Sequence, residues 1–391
     1  MKKLLLPIMA LLFFASCQKN QLSTANMPAS ALSKKQVAGT KLISVPFRTD
    51  SVYGVTVHFG QANNADYTAD KIGFAMSLAK TMNFNYFRTD VSMNGSGVPN
   101  SVYEAFADSA HNNGFGILAV INNPVLAAPA NTTTNVYTSA ELTGFYNKGY
   151  QQAFGFASRP SVQGKVQFIQ IFNELENDNN ATLLGPTYGG TQEPVIGQND
   201  TKYNMIKYPA YLNFMKGAYA GIKAASSTIK IGTNYAWLHY GLFLKLTKDM
   251  IADNKKLDFM LLNWYNVEEY GIDKSHNVSA VDTPMAGQAI KRLKYKFLQQ
   301  PASPLVTQVG LSETGISFGG GATPNPNNLG KGGFLTLMHD QYKPQSNFVF
   351  YYELFKELIS RSQFPKEAQY GIQISTNPPN QLVTDTLSNL Y

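Results

Sequence analysis

The sequence predicts a single-domain α/β fold, a (β/α)8 barrel, and three observations predict it. Eight short runs rich in β-branched and aromatic residues are each followed by a stretch whose apolar residues recur at helical spacing. Strands alternating with helices pair in parallel through crossover connections, and eight such units close a barrel. From residue 46 to residue 391 no Pro- or Ser-rich linker interrupts the chain, and a barrel of this length is one domain.

The elements follow in order. Val52 to His58 is the first strand, and Ile72, Ala75, Ala79 and Met82 share the face of a helix behind it. Asn83 to Val91 is the second strand, Val102 to Asn113 a helix closed by Gly114, and Phe115 to Ile121 the third strand. A helix over Ser139 to Ser158 leads into the fourth strand, Gln167 to Asn173, an apolar run that stops on Asn173-Glu174 before a loop rich in Asn and Gly. Leu212, Met215, Tyr219 and Ile222 mark the next helix, and Thr228 to Asn234 the fifth strand. Leu242 to Ala252 is helical, Leu257 to Trp264 extended, Ala286 to Leu298 helical and Leu305 to Leu311 extended. Leu329 to Tyr342 is a helix weakened by its glycines, Asn347 to Tyr352 is the last strand, and Phe355 to Ser362 begins the last helix.

The first 45 residues stand apart from this pattern. Met1-Lys2-Lys3 is a positive start, Leu4 to Phe14 is apolar but too short to span a bilayer, and Ala15-Ser16-Cys17 places small residues before a cysteine. This ending resembles a bacterial lipoprotein signal over residues 1–16, whose removal leaves Cys17 as a lipid-modified first residue; ordinary secretory cleavage nearby is the alternative. Cys17 is the only cysteine, so an exported body would carry no other thiol. Residues 17–45 are polar and without hydrophobic period, as a flexible tether is. The expected location is the cell envelope, with secretion if the cysteine is not acylated, and the only membrane contact expected is the lipid.

The formal net charge is +7, two of those charges being the leader's Lys2 and Lys3. The remaining basic residues are scattered and form no phosphate track, which argues against nucleic acid. With 12% aromatic and 15% charged residues, the composition suits neutral polar ligands that stack on rings, sugars being the obvious class. No His/Cys/Asp cluster has metal-ligand spacing, no glycine-rich phosphate loop is evident, and no cofactor is expected. The expected state is a monomer.

Barrels present chemistry at the C-terminal ends of their strands. The polar residues there are His58, Arg88 and Asp90, Asn122 and Asn123, Asn173 and Glu174, Asn234, Asn263 and Tyr265, Glu313, and Tyr351 through Glu353. Two carboxylates stand out: Glu174 ends the fourth strand, and Glu313, in Val309-Gly310-Leu311-Ser312-Glu313-Thr314-Gly315, ends the seventh. Their strands lie across the barrel from each other, so the side chains can face one another over a substrate.

These motifs, in this order, resemble the clan A retaining glycoside hydrolases, the group that includes the family 5 cellulase-like and family 39 enzymes. The resemblance runs from Gly54-Val55-Thr56-Val57-His58-Phe59 almost to the C-terminus. Phe84-Asn85-Tyr86-Phe87-Arg88-Thr89-Asp90 is similar to the second-strand motif with its active-site arginine, and Ile171-Phe172-Asn173-Glu174 to the fourth-strand motif carrying the acid/base. Asp258 to Tyr265 is similar to the sixth strand with a tyrosine near the nucleophile, and Ser312-Glu313-Thr314-Gly315 to the nucleophile motif. Tyr351-Tyr352-Glu353-Leu354, with Glu367 to Ile372, is similar to the closing strand and tail. Two departures are visible: Leu175-Glu176 stands where a proline often follows, and the last strand carries Tyr where Trp is more usual.

The resemblance implies double displacement at a β-linked oligo- or polysaccharide, with Glu313 as nucleophile, Glu174 as acid/base, and Arg88, Asn173 and Tyr265 supporting them. Asn173 would bond the sugar 2-hydroxyl. Adjacent strand residues point to opposite faces, so Asn173 and Glu174 both reach the site only if the strand is already ending there. His58, Asn234 and His239 read equally as substrate contacts or as satisfied structural groups, and Asn263 belongs with the contacts. Trp237, Trp264, Tyr351 and Tyr352 are sugar platforms or core, while Glu176, Glu268, Glu269 and Glu353 read as peripheral. Arg88 and Asp90, two apart on one face, can pair with each other. The other reading, from a different class, is a catalytically silent lipoprotein that binds glycan on a degenerate barrel; loss of a key residue would signal it, and none is lost.

Overall fold

The computed structural model describes residues 49, 51–61, 64, 67–177, 203, 205–236, 239–264, 286–315, 338–356 and 373–374, all within one compact unit, Val45–Tyr391. Eight strands, β1 (Val52–Val57), β2 (Tyr86–Val91), β3 (Gly116–Ile121), β4 (Phe168–Ile171), β5 (Lys230–Ala236), β6 (Phe259–Asn263), β7 (Gln308–Thr314) and β8 (Phe348–Tyr351), close into a barrel in sequence order. Every neighbouring pair is parallel, including the closing pair β1 and β8. Helices α1 (Ile72–Thr81), α2 (Ser101–Asn112), α3 (Ser139–Ala157), α4 (Tyr208–Ala225), α5 (Tyr240–Ala252) and α6 (Ala286–Phe297) lie between strands as predicted.

Local chemistry sets the helix boundaries. Asn100 opens α2 by accepting the Tyr103 N–H at 2.7 Å, and Thr138 with Glu141 forms a reciprocal capping box at the start of α3. Gly114, at φ +81°, ends the α2 turn in the left-handed conformation that its missing Cβ allows, as the sequence predicts. Two predictions at the C-terminal side change. Of the helix expected over Leu329 to Tyr342, the described part is a π-wound turn, Met338–Tyr342. The helix expected to start at Phe355 does not start there: β9 (Phe355–Lys356) pairs in parallel with β10 (Gln373–Ile374), and the ladder takes its backbone groups.

Alternation along the strands creates two cores. The outward residues pack against the helices, for example Phe87 against Phe106 and Phe115, and Tyr235 against Phe243. The inward residues begin with a fully buried ring layer: Phe168, Phe259 and Phe348 meet with centroids 4.9–5.7 Å apart, and Tyr86 lies 5.8 Å from Phe168. Burying each such ring contributes about 1.5–3 kcal/mol. Glycines leave the rings room; a Cβ on Gly116 would lie 2.2 Å from the Tyr86 ring. Further along the strands the inward positions turn polar, at Arg88, Gln170, Asn234, Asn263 and Ser312.

Candidate active site

Arg88 is the hub of this polar layer. It is fully buried on β2, and its planar fork donates Nη1 to Glu313 Oε1 at 2.6 Å, Nη2 to Asn173 Oδ1 at 2.8 Å and Nε to Gln170 Oε1 at 3.3 Å. The pairing that two-residue spacing allowed, Arg88 with Asp90, does not form. Arg88 holds the β7 carboxylate and Asp90 holds His58.

Both candidate carboxyl groups arrive through a break in strand period. On β4, Ile171 and Phe172 both pack outward, Phe172 against Tyr211 and Phe214 of α4. Phe172 stands at φ +71° and Glu174 at φ +45°, left-handed conformations that bulky L-residues adopt only under constraint. The strand has ended at Ile171, and the two turns bring Asn173 and Glu174 to the barrel mouth together. On β7 the register shifts: Leu311 pairs with Leu262 and Val349, whereas Glu313 pairs with Asn263 and Thr314 with Tyr351. One extra β7 residue is thus accommodated, and Ser312 and Glu313 both face inward.

Hydrogen bonds fix the Asn173-Glu174 turn from every side. Asn123 clamps the Asn173 backbone, donating to its carbonyl at 2.7 Å and accepting its N–H at 3.0 Å. Asn234 accepts the Glu174 N–H at 2.9 Å, and Asn263 Nδ2 donates to Glu174 Oε1 at 2.6 Å. Asn173 Oδ1 takes Arg88 and also Asn234 Nδ2 at 2.8 Å, while its own Nδ2 has no partner among the described residues on a half-buried side chain.

Several expected substrate contacts are placed elsewhere. Asn234 and Asn263 are fully buried, and the hydrogen bonds of both go to protein groups. Trp264 is fully buried among the outward core residues and Tyr351 likewise, so neither offers a ring face to a sugar. Tyr352 is half-buried, its ring 5.7 Å from that of His58. His58 is buried with both nitrogens committed, Nδ1 to Asp90 Oδ2 at 3.1 Å and Nε2 beside Glu353 Oε2 at 3.1 Å; the second contact is an ion pair whose angle falls outside hydrogen-bond geometry. Burial disfavours the imidazolium, but the bonds and charges of Asp90 and Glu353 outweigh it and hold the His58 pKa well above its ordinary value. Asp90 is held low in turn: burial opposes its charge, and His58, Arg88 and Gln61 overcome that.

Glu353 and Glu176 are not peripheral. Glu353 is fully buried and accepts from Tyr67, and Glu176 is buried with Oε1 accepting the Ala236 N–H at 2.5 Å, which ties the turn after Glu174 to the end of β5. His239 lies 3.6 Å from the same carboxylate, inside the protein. Gln170 and Ser312 were missed; a polar residue inside an apolar parallel strand was the available signal. Tyr265, Trp237, Glu268, Glu269 and Cys17 lie outside the described residues. Among the described residues no cluster of His, Cys, Asp and Glu has a metal site's arrangement, and no helix is long and apolar enough to cross a membrane.

The class this fold defines is the closed, parallel (β/α)8 barrel. No family model matches the sequence, and no curated protein matches it. Among solved structures, a β-glucosidase from Thermotoga maritima in complex with a substituted glucoimidazole matches with a TM-score of 0.53 at 13% identity, over 87% of this chain and 97% of that one. A psychrophilic family 10 endo-β-1,4-xylanase matches with a TM-score of 0.53 at 12% identity, over 87% and 97%. The β-galactosidase of Rahnella sp. R3 matches with a TM-score of 0.52 at 15% identity, over 88% of this chain and 56% of the other. At these identities the likeness is one of fold.

Proposed function

We propose that the chain is a clan A retaining glycoside hydrolase acting on a β-linked oligo- or polysaccharide. The observation that carries the reading is a single buried arginine joining the two carboxylate-bearing segments: Arg88 bonds Glu313 Oε1 on β7 and Asn173 Oδ1 beside Glu174 after β4. Solved barrels of the same fold that cleave glycosides support it.

In this reading Glu313, bonded to the Arg88 guanidinium, attacks the anomeric carbon as Glu174 protonates the departing oxygen. Glu174 then takes a proton from the water that releases the glycosyl-enzyme. A retaining pair needs its carboxyl groups about 5–5.5 Å apart. Asn173, with Oδ1 bound inside the protein, presents Nδ2 to the sugar 2-hydroxyl, where bonds strengthen in the oxocarbenium-like transition state. Tyr352 and Trp237 are the remaining platform candidates, and Tyr265 the candidate second support of Glu313. The leader's sequence supports an enzyme held at the cell envelope by a lipid on Cys17, with residues 17–45 as tether and 46–391 as the catalytic domain.

A 2-deoxy-2-fluoro glycoside with a good leaving group should leave a stable ester on Glu313, read by peptide mass spectrometry. Glu313→Gln and Glu174→Gln should each abolish hydrolysis on a panel of β-linked glycans. Full activity in either variant, or an ester on another residue, overturns the assignment.

A further inference from the structure

The hydrogen bonds around Glu174 close on themselves, and their directions can be read without seeing a proton. The Glu174 backbone N–H can only donate, so Asn234 must present Oδ1 to it, at 2.9 Å. The Asn234 amide nitrogen then points the other way, at Asn173 Oδ1, 2.8 Å, and at Asn263 Oδ1, 3.0 Å. Arg88, a donor without acceptors, independently fixes Asn173 Oδ1 as an acceptor at 2.8 Å. Asn263, with Oδ1 turned to Asn234 and to the Ser312 hydroxyl at 2.5 Å, is left with Nδ2 facing Glu174 Oε1 at 2.6 Å. The ring therefore runs from the Glu174 backbone through two asparagines to the Glu174 carboxyl group.

We infer that Asn234 and Asn263 are positioning residues forming a one-way relay that places the exchangeable proton of Glu174 on Oε2. The inference deepens the glycosidase reading and rests on it. Oε1 receives an N–H and so stays the unprotonated oxygen; Oε2 carries the proton that the leaving group needs. When that proton passes to the departing oxygen, the electron pair of the broken C–O bond stays on the leaving oxygen and Glu174 becomes a carboxylate. The Asn263 N–H already stands where that charge develops, and its donation favours the charged form. In the second step the same N–H weakens as Glu174 takes its proton back from water. Asn234 and Asn263 touch no substrate here; both are fully buried.

Two variants separate this role from packing. Asn263→Asp keeps Oδ1 and the side-chain shape and replaces the donor with a charged acceptor; Asn263→Leu loses the donor without adding charge. The full chain, labelled with carboxyl-13C glutamate, gives the Glu174 titration directly, its signal assigned by loss in Glu174→Gln. Losing an N–H that favours the carboxylate raises the midpoint, by about one pH unit in Asn263→Leu and further in Asn263→Asp, where a second carboxylate faces the first. In kinetics, kcat/KM for a glycoside with a poor, alkyl leaving group should fall about tenfold or more beyond the fall for a dinitrophenyl glycoside, which needs no acid. In the wild type the Asn263 side-chain 15N signal should titrate with Glu174. An unchanged Glu174 midpoint in a folded variant, or an Asn263 signal that ignores Glu174, overturns the relay. Full hydrolysis of the alkyl glycoside persisting in Glu174→Gln would instead overturn Glu174 as the acid/base and leave the titration result standing.

Discussion

A step of two positions leads from Tyr86 to Arg88, from Phe168 to Gln170, from Leu261 to Asn263 and from Gly310 to Ser312, and across that step the barrel interior changes from apolar packing to hydrogen bonds. The lower layer is held by burial of rings, an attraction without direction whose strength follows the area removed from water. The upper layer is held by a network of directional donors and acceptors, so a lost partner disturbs several bonds at once in a dry interior. Both layers hang from the same strands. The difference teaches that stability and chemistry are stacked along the barrel axis, and substitutions can address them separately.

The largest effect should come from Arg88→Met, which takes the guanidinium from Glu313 and from Asn173 Oδ1 together. Breaking a buried pair this way costs about 3–5 kcal/mol, and kcat/KM should drop by about a hundredfold or more as the proposed nucleophile loses its guanidinium. Thermal unfolding and steady-state kinetics on one sample check both halves. Phe168→Ala should cost a similar ~3–5 kcal/mol through the cavity it leaves, yet the folded protein should keep its kcat/KM. Activity lost as deeply as in Arg88→Met would collapse the division between layers. Gly116→Ala presses a methyl group on the Tyr86 ring and should cost about 1–3 kcal/mol by overpacking, again without a change in kcat/KM; a denaturant midpoint equal to wild type would contradict the ring packing.

The smallest effect sharpens the upper layer's electrostatics. The His58 pKa is raised on folding, so its stabilisation is complete below the unfolded value of 6.5 and fades as pH climbs through the higher folded value. Asp90 is lowered, so its share is complete above the unfolded value of 3.8 and fades as pH falls through the lower folded value. The melting temperature should therefore decline on the alkaline side of neutrality in the wild type and lose that decline in His58→Gln. Parallel profiles for the two proteins would remove the imidazolium from the account.

Much of the fold was legible because strand and helix periods are local properties. The eight strands and the order of helices follow from apolar spacing, and Glu174 and Glu313 stood out because a carboxylate closing a buried parallel strand has few other uses. The same local reading misjudged partners. His58 read equally as a substrate contact or a structural group and is enclosed by Asp90 and Glu353, and Trp264, read as platform or core, lies in the core that faces the helices. Glu353 and Glu176 looked peripheral but are buried.

Sequence alone thus determined the barrel, its strand order and the two carboxylates at its C-terminal rim, since each depends on residues within a few positions of one another. Tertiary structure decided which way those carboxylates point and what holds them. The left-handed turns at Phe172 and Glu174 and the extra residue at Ser312-Glu313 override the two-residue alternation. Arg88 chooses Glu313, 225 positions away, over Asp90, two away, because only closure of the barrel sets their distance.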